Sequence, residues 1–183
     1  YLAIAKKKKY INGFISRVHQ AEIDEDREPN KSKFKNFKLK SVDKLFLISE
    51  HAKNYLSQKY PKYSSKYLVS YLGVKNSGTN PNEGSVFRIA SCSKDAPHKR
   101  VHLIAEILKG LDFEFEWYHL GYMPQDKQQH YMEILSANKS KHVYFVGDYA
   151  NEKVLEFYKN NHVDVFINVS SIEGLSVALM EAG

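Results

Sequence analysis

The sequence predicts an α/β fold in which a parallel sheet carries helices on both faces. Three observations carry that expectation. From Lys44 to the end, apolar runs that read as strands alternate with segments that read as helices, the order that builds a covered parallel sheet. One helical segment sets Val101, Ile104, Ala105, Leu108 and Leu111 at the spacing of a single apolar stripe, with Gly110 as its C-terminal stop. A loop rich in Gly, Asn, Ser and Pro, "KNSGTNPNEGS" (75–85), interrupts the alternation and is the best domain boundary in the chain.

The elements follow in order. "KLFLIS" (Lys44 to Ser49) reads as a buried strand, "EHAKNYLSQKY" as the helix after it, and "YLVSYLGV" (Tyr67 to Val74) as a second strand. Beyond the loop, "VFRIASCS", "FEFEWYHLG", "KHVYFVG" and "VDVFINVS" read as strands. Between and after them, "KRVHLIAEILKG", a polar stretch from about Gln125 to Asn138, "NEKVLEFYKNN" and "EGLSVALMEA" read as helices. The lysine run Lys6 to Lys9 reads first as a solvated helix face, although such a cluster could also touch an anionic membrane leaflet at about 1 kcal/mol per charge.

With 183 residues and 43% hydrophobic content the chain can build a core. No apolar stretch approaches the roughly 20 residues of a membrane span, and the opening "YLAIAKKKKY" does not read as a secretory signal. A single cysteine, Cys92, excludes an intramolecular disulfide framework and suits a reducing compartment, so a cytoplasmic protein is expected. The net charge of +6 admits an anionic small molecule or a membrane surface as partner. It does not argue for nucleic acid, because no recognition motif accompanies it. Three Asn-x-Ser sequons, at Asn30, Asn138 and Asn168, read as chance, the last lying in an apolar, strand-like run.

In an open parallel sheet, ligands bind beyond the carboxyl ends of the strands, where loops lead into helix N-termini. Four loops qualify: "SCSKDAPHK", "LGYMPQ", "VGDYAN" and "SSIEGLS". In the first, Lys94 and Lys99 flank a Pro-containing turn and can project toward one ligand, for which a phosphate is the natural guest. In the last, Glu173 precedes Gly174, whose missing side chain lets a ligand approach the backbone, and Glu181 stands eight residues on. On a helix that separation is about 12 Å. Two carboxylates so far apart suit two separate diols, since a carboxylate accepts what vicinal hydroxyls donate. A sugar, a diphosphate and a ribose in a row match two acids with lysines between. From spacing alone the plainer reading remains: Glu173 as a first-turn acid and Glu181 as an exposed helix residue.

"VDVFINVSSIEGLSVALMEA", with "SCSKDAPHKRVHLIAEIL" upstream and "HVYFVGDYANEKVLEFYKNNHVDVF" between, resembles the nucleotide-sugar domain of family four retaining glycosyltransferases of the GT-B fold. "ISRVHQAE" and "VDKLFLISEHAKNYLSQKYP" through "YLVSYLGV" are similar to the end of that family's N-terminal domain and its crossing between domains. The resemblance implies a GT-B type Rossmann-like sheet, incomplete at both ends. Residues 1–74 would be the tail of the acceptor-side domain and 75–183 most of the donor domain. It implies that Glu173 and the backbone of Gly174, Leu175 and Ser176 hold the donor sugar. By the same resemblance Glu181 binds the ribose hydroxyls and Lys99 meets the diphosphate.

Lys94 stands where the family commonly has arginine, keeping the charge without the planar fork, and Arg100 replaces a frequent glycine. His19 falls where the family carries a histidine facing the reaction centre, so His19 and Glu173 are the implied catalytic pair. The activity implied is metal-independent transfer of a hexose-type sugar from a nucleoside diphosphate sugar, with retention, to a sugar or lipid-linked acceptor. No cofactor beyond the donor is implied, and the place of work is the cytoplasm or the inner face of the membrane. A nucleotide-sugar epimerase of similar architecture and a non-catalytic basic interaction module are the alternatives.

Other signals carry less. "DED" (Asp24 to Asp26) imitates a metal-binding Asp-x-Asp but has no strand leading in. His98 and His102 at i, i+4 could share a helix face without an evident third metal ligand. Cys92 ends a buried-looking strand and reads as packing rather than as a nucleophile.

Overall fold

In the computed structural model, which describes residues 1–19, 23, 37–76, 78–81, 84–136 and 141–183, the apolar runs pair into two separate parallel sheets. The chain divides accordingly into one unit of Tyr1–Gly73 with Glu173–Leu175 and another of Val74–Ile172 with Ser176–Gly183. The "DED" run and the sequons at Asn30 and Asn138 lie outside the described residues.

The first unit runs α1 (Leu2–Lys7), β1 (Ile15–Val18), β2 (Lys44–Leu47), α2 (Glu50–Lys59), a 3-10 turn (Pro61–Lys66) and β3 (Tyr67–Val69). Its sheet has the order β1-β2-β3, with Leu47 paired to Val18 on one side and to Val69 on the other. Helix α2 begins where Ser49 accepts a hydrogen bond from the Ala52 backbone at 3.1 Å, satisfying an N–H that has no partner within the helix. It turns Ala52 and Leu56 onto Val18, Leu45, Leu47 and Tyr67, all buried. Burial pushes the Tyr67 phenol up to about 12. Helix α1 buries nothing, and its Lys6 pairs with Asp43, whose carboxyl is held below its ordinary value first by that bond and then by the Phe14 backbone N–H.

The second unit runs β4 (Phe87–Cys92), a 3-10 turn (Pro97–Lys99), α3 (Val101–Lys109), β5 (Phe115–Leu120), α4 (Gln125–Leu135), β6 (Lys141–Gly147), α5 (Asn151–Asn160), β7 (Val165–Phe166) and α6 (Val177–Ala182). The sheet order is β6-β5-β4-β7, all parallel. Side-chain alternation along the strands sorts the core into two layers. Ile89, Phe115 and Trp117 pack with Val101, Ile104, Ala105 and Leu108 of α3 and with Tyr131 and Leu135 of α4. Ala90, Cys92 and Leu120 pack on the opposite side with Val154, Phe157 and Tyr158 of α5. The sheet is therefore covered on both faces, as the alternation of elements predicts.

Four expectations need correction. The strand expected over Tyr67 to Val74 ends at Val69, and the one expected over "VDVFINVS" is only Val165–Phe166. Asn168 thus lies in an exposed loop rather than inside a strand, its Nδ2 donating to Ser176 Oγ at 3.0 Å. The closing helix starts at Val177, so Glu173 precedes it and the 12 Å helical separation from Glu181 does not apply. His98 and His102 do not share a helix face, because Arg100 between them has left-handed backbone, φ 50°, and ends the 3-10 turn before α3 begins.

Candidate functional site

The order β6-β5-β4-β7 reverses its direction of growth between β4 and β7, and a parallel sheet opens a crevice at such a switch point beyond its carboxyl ends. A shallow depression lies there, lined by Ser91 and Cys92 of β4 and Ser93 just after it, by Lys99, and by Asn168, Val169 and Ser170 after β7. Its floor is polar. The indole N–H of Trp117 donates to Ser91 Oγ at 2.9 Å, and Ser91 Oγ lies 2.9 Å from His119 Nδ1, all three side chains fully or almost fully buried. Ser91 Oγ has two lone pairs and one proton, so the direction of its bond with Nδ1 follows the imidazole tautomer. Among the described residues Nε2 has no hydrogen-bond partner. Burial drives the His119 pKa down to about 4, against the opposing pull of the Ser93 carbonyl and the Asp95 charge.

The loop above this floor is braced along its length. Ser93 N donates to Leu120 O at 2.9 Å and Asp95 N to Tyr122 O at 2.8 Å, while Asp95 pairs with Lys127 at 2.6 Å. Gly121 makes the approach possible, since at its φ of 127° a Cβ would fall 2.1 Å from Ser93 O. Lys94 rides exposed on this loop, and Lys99 closes the 3-10 turn, half-buried beside the depression.

Arg100 explains the turn. Left-handed backbone is costly for any residue but glycine, on the order of 1 kcal/mol. The Arg100 side chain compensates by donating from Nε to Val169 O at 2.7 Å, which ties the turn to the segment after β7. Ser171 N, donating to His98 O at 2.8 Å, adds a second tie.

Of the residues the sequence singles out, Lys94, Lys99, Ser176 and Glu181 belong to the second unit, and His19, Glu173, Gly174 and Leu175 to the first. His19 is exposed directly after β1, at its carboxyl end, and Glu173 is exposed in the turn before α6. Ser176 is the N-cap of α6, accepting from Leu179 N at 3.4 Å and from Asn168 Nδ2.

Lys99 lines the depression, whereas Glu181, in α6, lines a separate hollow with Lys75, Tyr158 and Met180. The Cys92 thiol, at the end of β4, is raised from its ordinary value first by burial and then by the Glu181 charge, with Lys99 opposing. Such a thiol stays protonated and unreactive, in line with its reading as packing. The buried Tyr158 hydroxyl lies beside it and is likewise raised, mainly by burial, then by Cys92 and Glu181. Lys99 thus stands at the carboxyl end of β4, and its charge and that of Glu181 act in opposite senses on the Cys92 thiol. Among the described residues, no group of three or more His, Cys, Asp or Glu side chains could hold a metal ion, and no helix is long and apolar enough to cross a membrane.

Two features escaped sequence reasoning, the Trp117–Ser91–His119 network and Asn151, whose Nδ2 donates to Glu181 Oε1 at 2.8 Å. The partners are far apart in sequence, and only the strand register and the meeting of α5 with α6 bring them together.

Comparison with solved structures identifies the class of fold. HepE from Anabaena in complex with UDP matches with a TM-score of 0.73 at 14% identity, over 98% of this chain and 53% of that one. WaaG, a glycosyltransferase involved in lipopolysaccharide biosynthesis, matches with a TM-score of 0.64 at 12% identity, over 98% of this chain and 59% of that one. TarM from S. aureus matches with a TM-score of 0.56 at 16% identity, over 79% of this chain and 28% of that one. The architecture is that of the GT-B glycosyltransferases, and the chain spans from 28% to 59% of the length of these three. No protein-family model matches the sequence, and no curated protein matches it.

Proposed function

We propose that the chain is part of a retaining, metal-independent glycosyltransferase that uses a nucleoside diphosphate sugar. The observation that carries this reading is the placement of Lys99 beside the depression at the switch point, beyond the carboxyl end of β4. A diphosphate needs cations and helix-start N–H groups, and a ribose needs a carboxylate to accept from its two hydroxyls. The Lys99 cation stands where an open parallel sheet takes its ligands, and the Glu181 carboxylate follows on α6. Solved structures of HepE, which share the fold, are complexes with UDP-glucose and with UDP, which supports a nucleotide-sugar donor.

In this reading Lys99, aided by Lys94, neutralises the diphosphate and stabilises charge as it builds on the leaving group. Glu181 accepts from the ribose hydroxyls. Glu173 and the backbone of Gly174, Leu175 and Ser176 hold the sugar, with His19 facing the reaction centre and the leaving phosphate taking part in proton transfer. Residues 1–74 supply the acceptor side and 75–183 the donor side, and the acceptor is a sugar or a lipid-linked sugar. The exposed lysines of the Lys6 to Lys9 run are suited to peripheral contact with an anionic membrane.

The paired acids test the assignment. Glu181→Gln weakens binding of both the free nucleoside diphosphate and the full donor, whereas Glu173→Gln spares the nucleotide and weakens only the sugar nucleotide, as read by calorimetry. If the two substitutions act alike on both ligands, or neither acts on any, the division of roles is wrong.

A further inference from the structure

Helix α5 has no side-chain cap, since Ala150 precedes it. Asn151, the first helical residue, is of a type that readily supplies such a cap, yet its amide is turned elsewhere. Nδ2 donates to Glu181 Oε1 at 2.8 Å, joining the start of α5 to the last turn of α6 across thirty residues of sequence. Short helix α6 buries no residue, so this bond fixes a carboxylate that packing leaves loosely held.

Resting on the nucleotide reading above, we infer that Asn151 is the positioning residue for Glu181 and thereby sets the preference for a ribonucleotide over one lacking the ribose diol. A carboxylate has about four lone-pair sites, and the amide of Asn151 takes one on Oε1. Enough remain for both ribose hydroxyls. What the amide removes is rotation: with Oε1 held, Oε2 presents in one direction and the diol meets a pre-set acceptor instead of ordering it on binding. The amide side chain is suited to this because it donates without bringing a charge that would compete with the ligand for Glu181. Asn151 also follows directly on the loop from Gly147, φ 93°, to Ala150, so the same helix start that orients Glu181 carries the β6–α5 loop at the ligand end of the sheet.

The test compares the common ribonucleoside diphosphates with their 2′,3′-dideoxy counterparts by calorimetry on the wild type, Asn151→Ala, Asn151→Asp and Glu181→Gln. Asn151 is exposed at a helix start, so both substitutions there are compatible with the fold, which circular dichroism verifies. The expected result is a loss on the order of tenfold in ribonucleotide affinity for Asn151→Ala, the scale of an exposed hydrogen bond to a charged group, with dideoxynucleotide affinity unchanged. Asn151→Asp loses more, because it sets a second carboxylate against Glu181, and recovers as the pH falls and the new acid gains a proton to donate. If Glu181→Gln abolishes the preference for ribose while Asn151→Ala retains it, the inference on Asn151 fails and the nucleotide reading stands. If no ribonucleoside diphosphate binds the wild type, or Glu181→Gln changes nothing, the nucleotide reading fails and this inference with it.

Discussion

His119 gives the chain a measurable acid sensitivity. The residue is fully buried between Trp117 and Phe145, and burial lowers its pKa from 6.5 to about 4. The folded protein therefore keeps a neutral imidazole through a range in which the unfolded chain takes up a proton. A depressed pKa stabilises the fold above the unfolded value and withdraws that stability as the pH falls toward the folded one. At about 1.36 kcal/mol per pH unit, the loss reaches about 2 kcal/mol by pH 5 and about 3 kcal/mol by pH 4.

The perturbation is His119→Gln, which keeps a hydrogen-bonding side chain for the Ser91 hydroxyl and cannot titrate. Urea unfolding at pH 7.5 and at pH 5 supplies the assay, and the quantity compared is the change in stability between the two conditions, in which the titration of all other groups cancels. The wild type should lose about 2 kcal/mol more than the variant over that interval. Equal losses would show that His119 is not held neutral by its surroundings.

Two further outcomes follow from the site. Lys99→Ala weakens nucleoside diphosphate binding by about 1.5 to 3 kcal/mol, the range for a hydrogen bond to a charged group, and equal affinities by calorimetry would remove Lys99 from the diphosphate. Arg100→Ala keeps the left-handed backbone while losing the bond to Val169 O, whereas Arg100→Gly loses the bond and relieves the strain. The glycine variant should therefore be the more stable of the two by about 1 kcal/mol in thermal or urea unfolding, and the reverse order would contradict the account of the turn.

What was legible in the sequence was what periodicity encodes. Phe87–Cys92, Phe115–Leu120 and Lys141–Gly147 are long apolar runs between breakers, and each forms its strand because both of its faces find helices. "VDVFINVS" carries the same pattern and yet pairs over only Val165–Phe166. Ile167 N still reaches Ala90 O at 2.8 Å, but the chain then leaves the sheet to meet Arg100 and His98. A tertiary demand overrides the local propensity there. β1 was not read as a strand, since "ISRV" is short and largely exposed at a sheet edge, with only Val18 buried. The start of α6 was readable in principle: a serine three residues before Leu179 is an N-cap signal, and Glu173 to Leu175 lie outside it.

The candidate site was legible only in part, because its geometry depends on register. Ser91 and His119 are direct partners in the β4–β5 ladder, and nothing in either segment alone pairs them. Once paired, they replace apolar packing beneath the Ser93 to Asp95 loop with hydrogen bonds, which hold direction where apolar contacts do not. The loop that carries Lys94 is then fixed from below by this network, from the side by Gly121 and Lys127, and the following turn with Lys99 is fixed by Arg100. Glu181 comes from α6 and is held from α5 by Asn151. Cations and carboxylate thus come from separate elements and are anchored by separate contacts. A substitution that displaces one need not move the other, which is why nucleotide binding should respond to Lys99 and to Asn151 in distinguishable ways: the first through the diphosphate whatever the sugar, the second through the ribose diol alone.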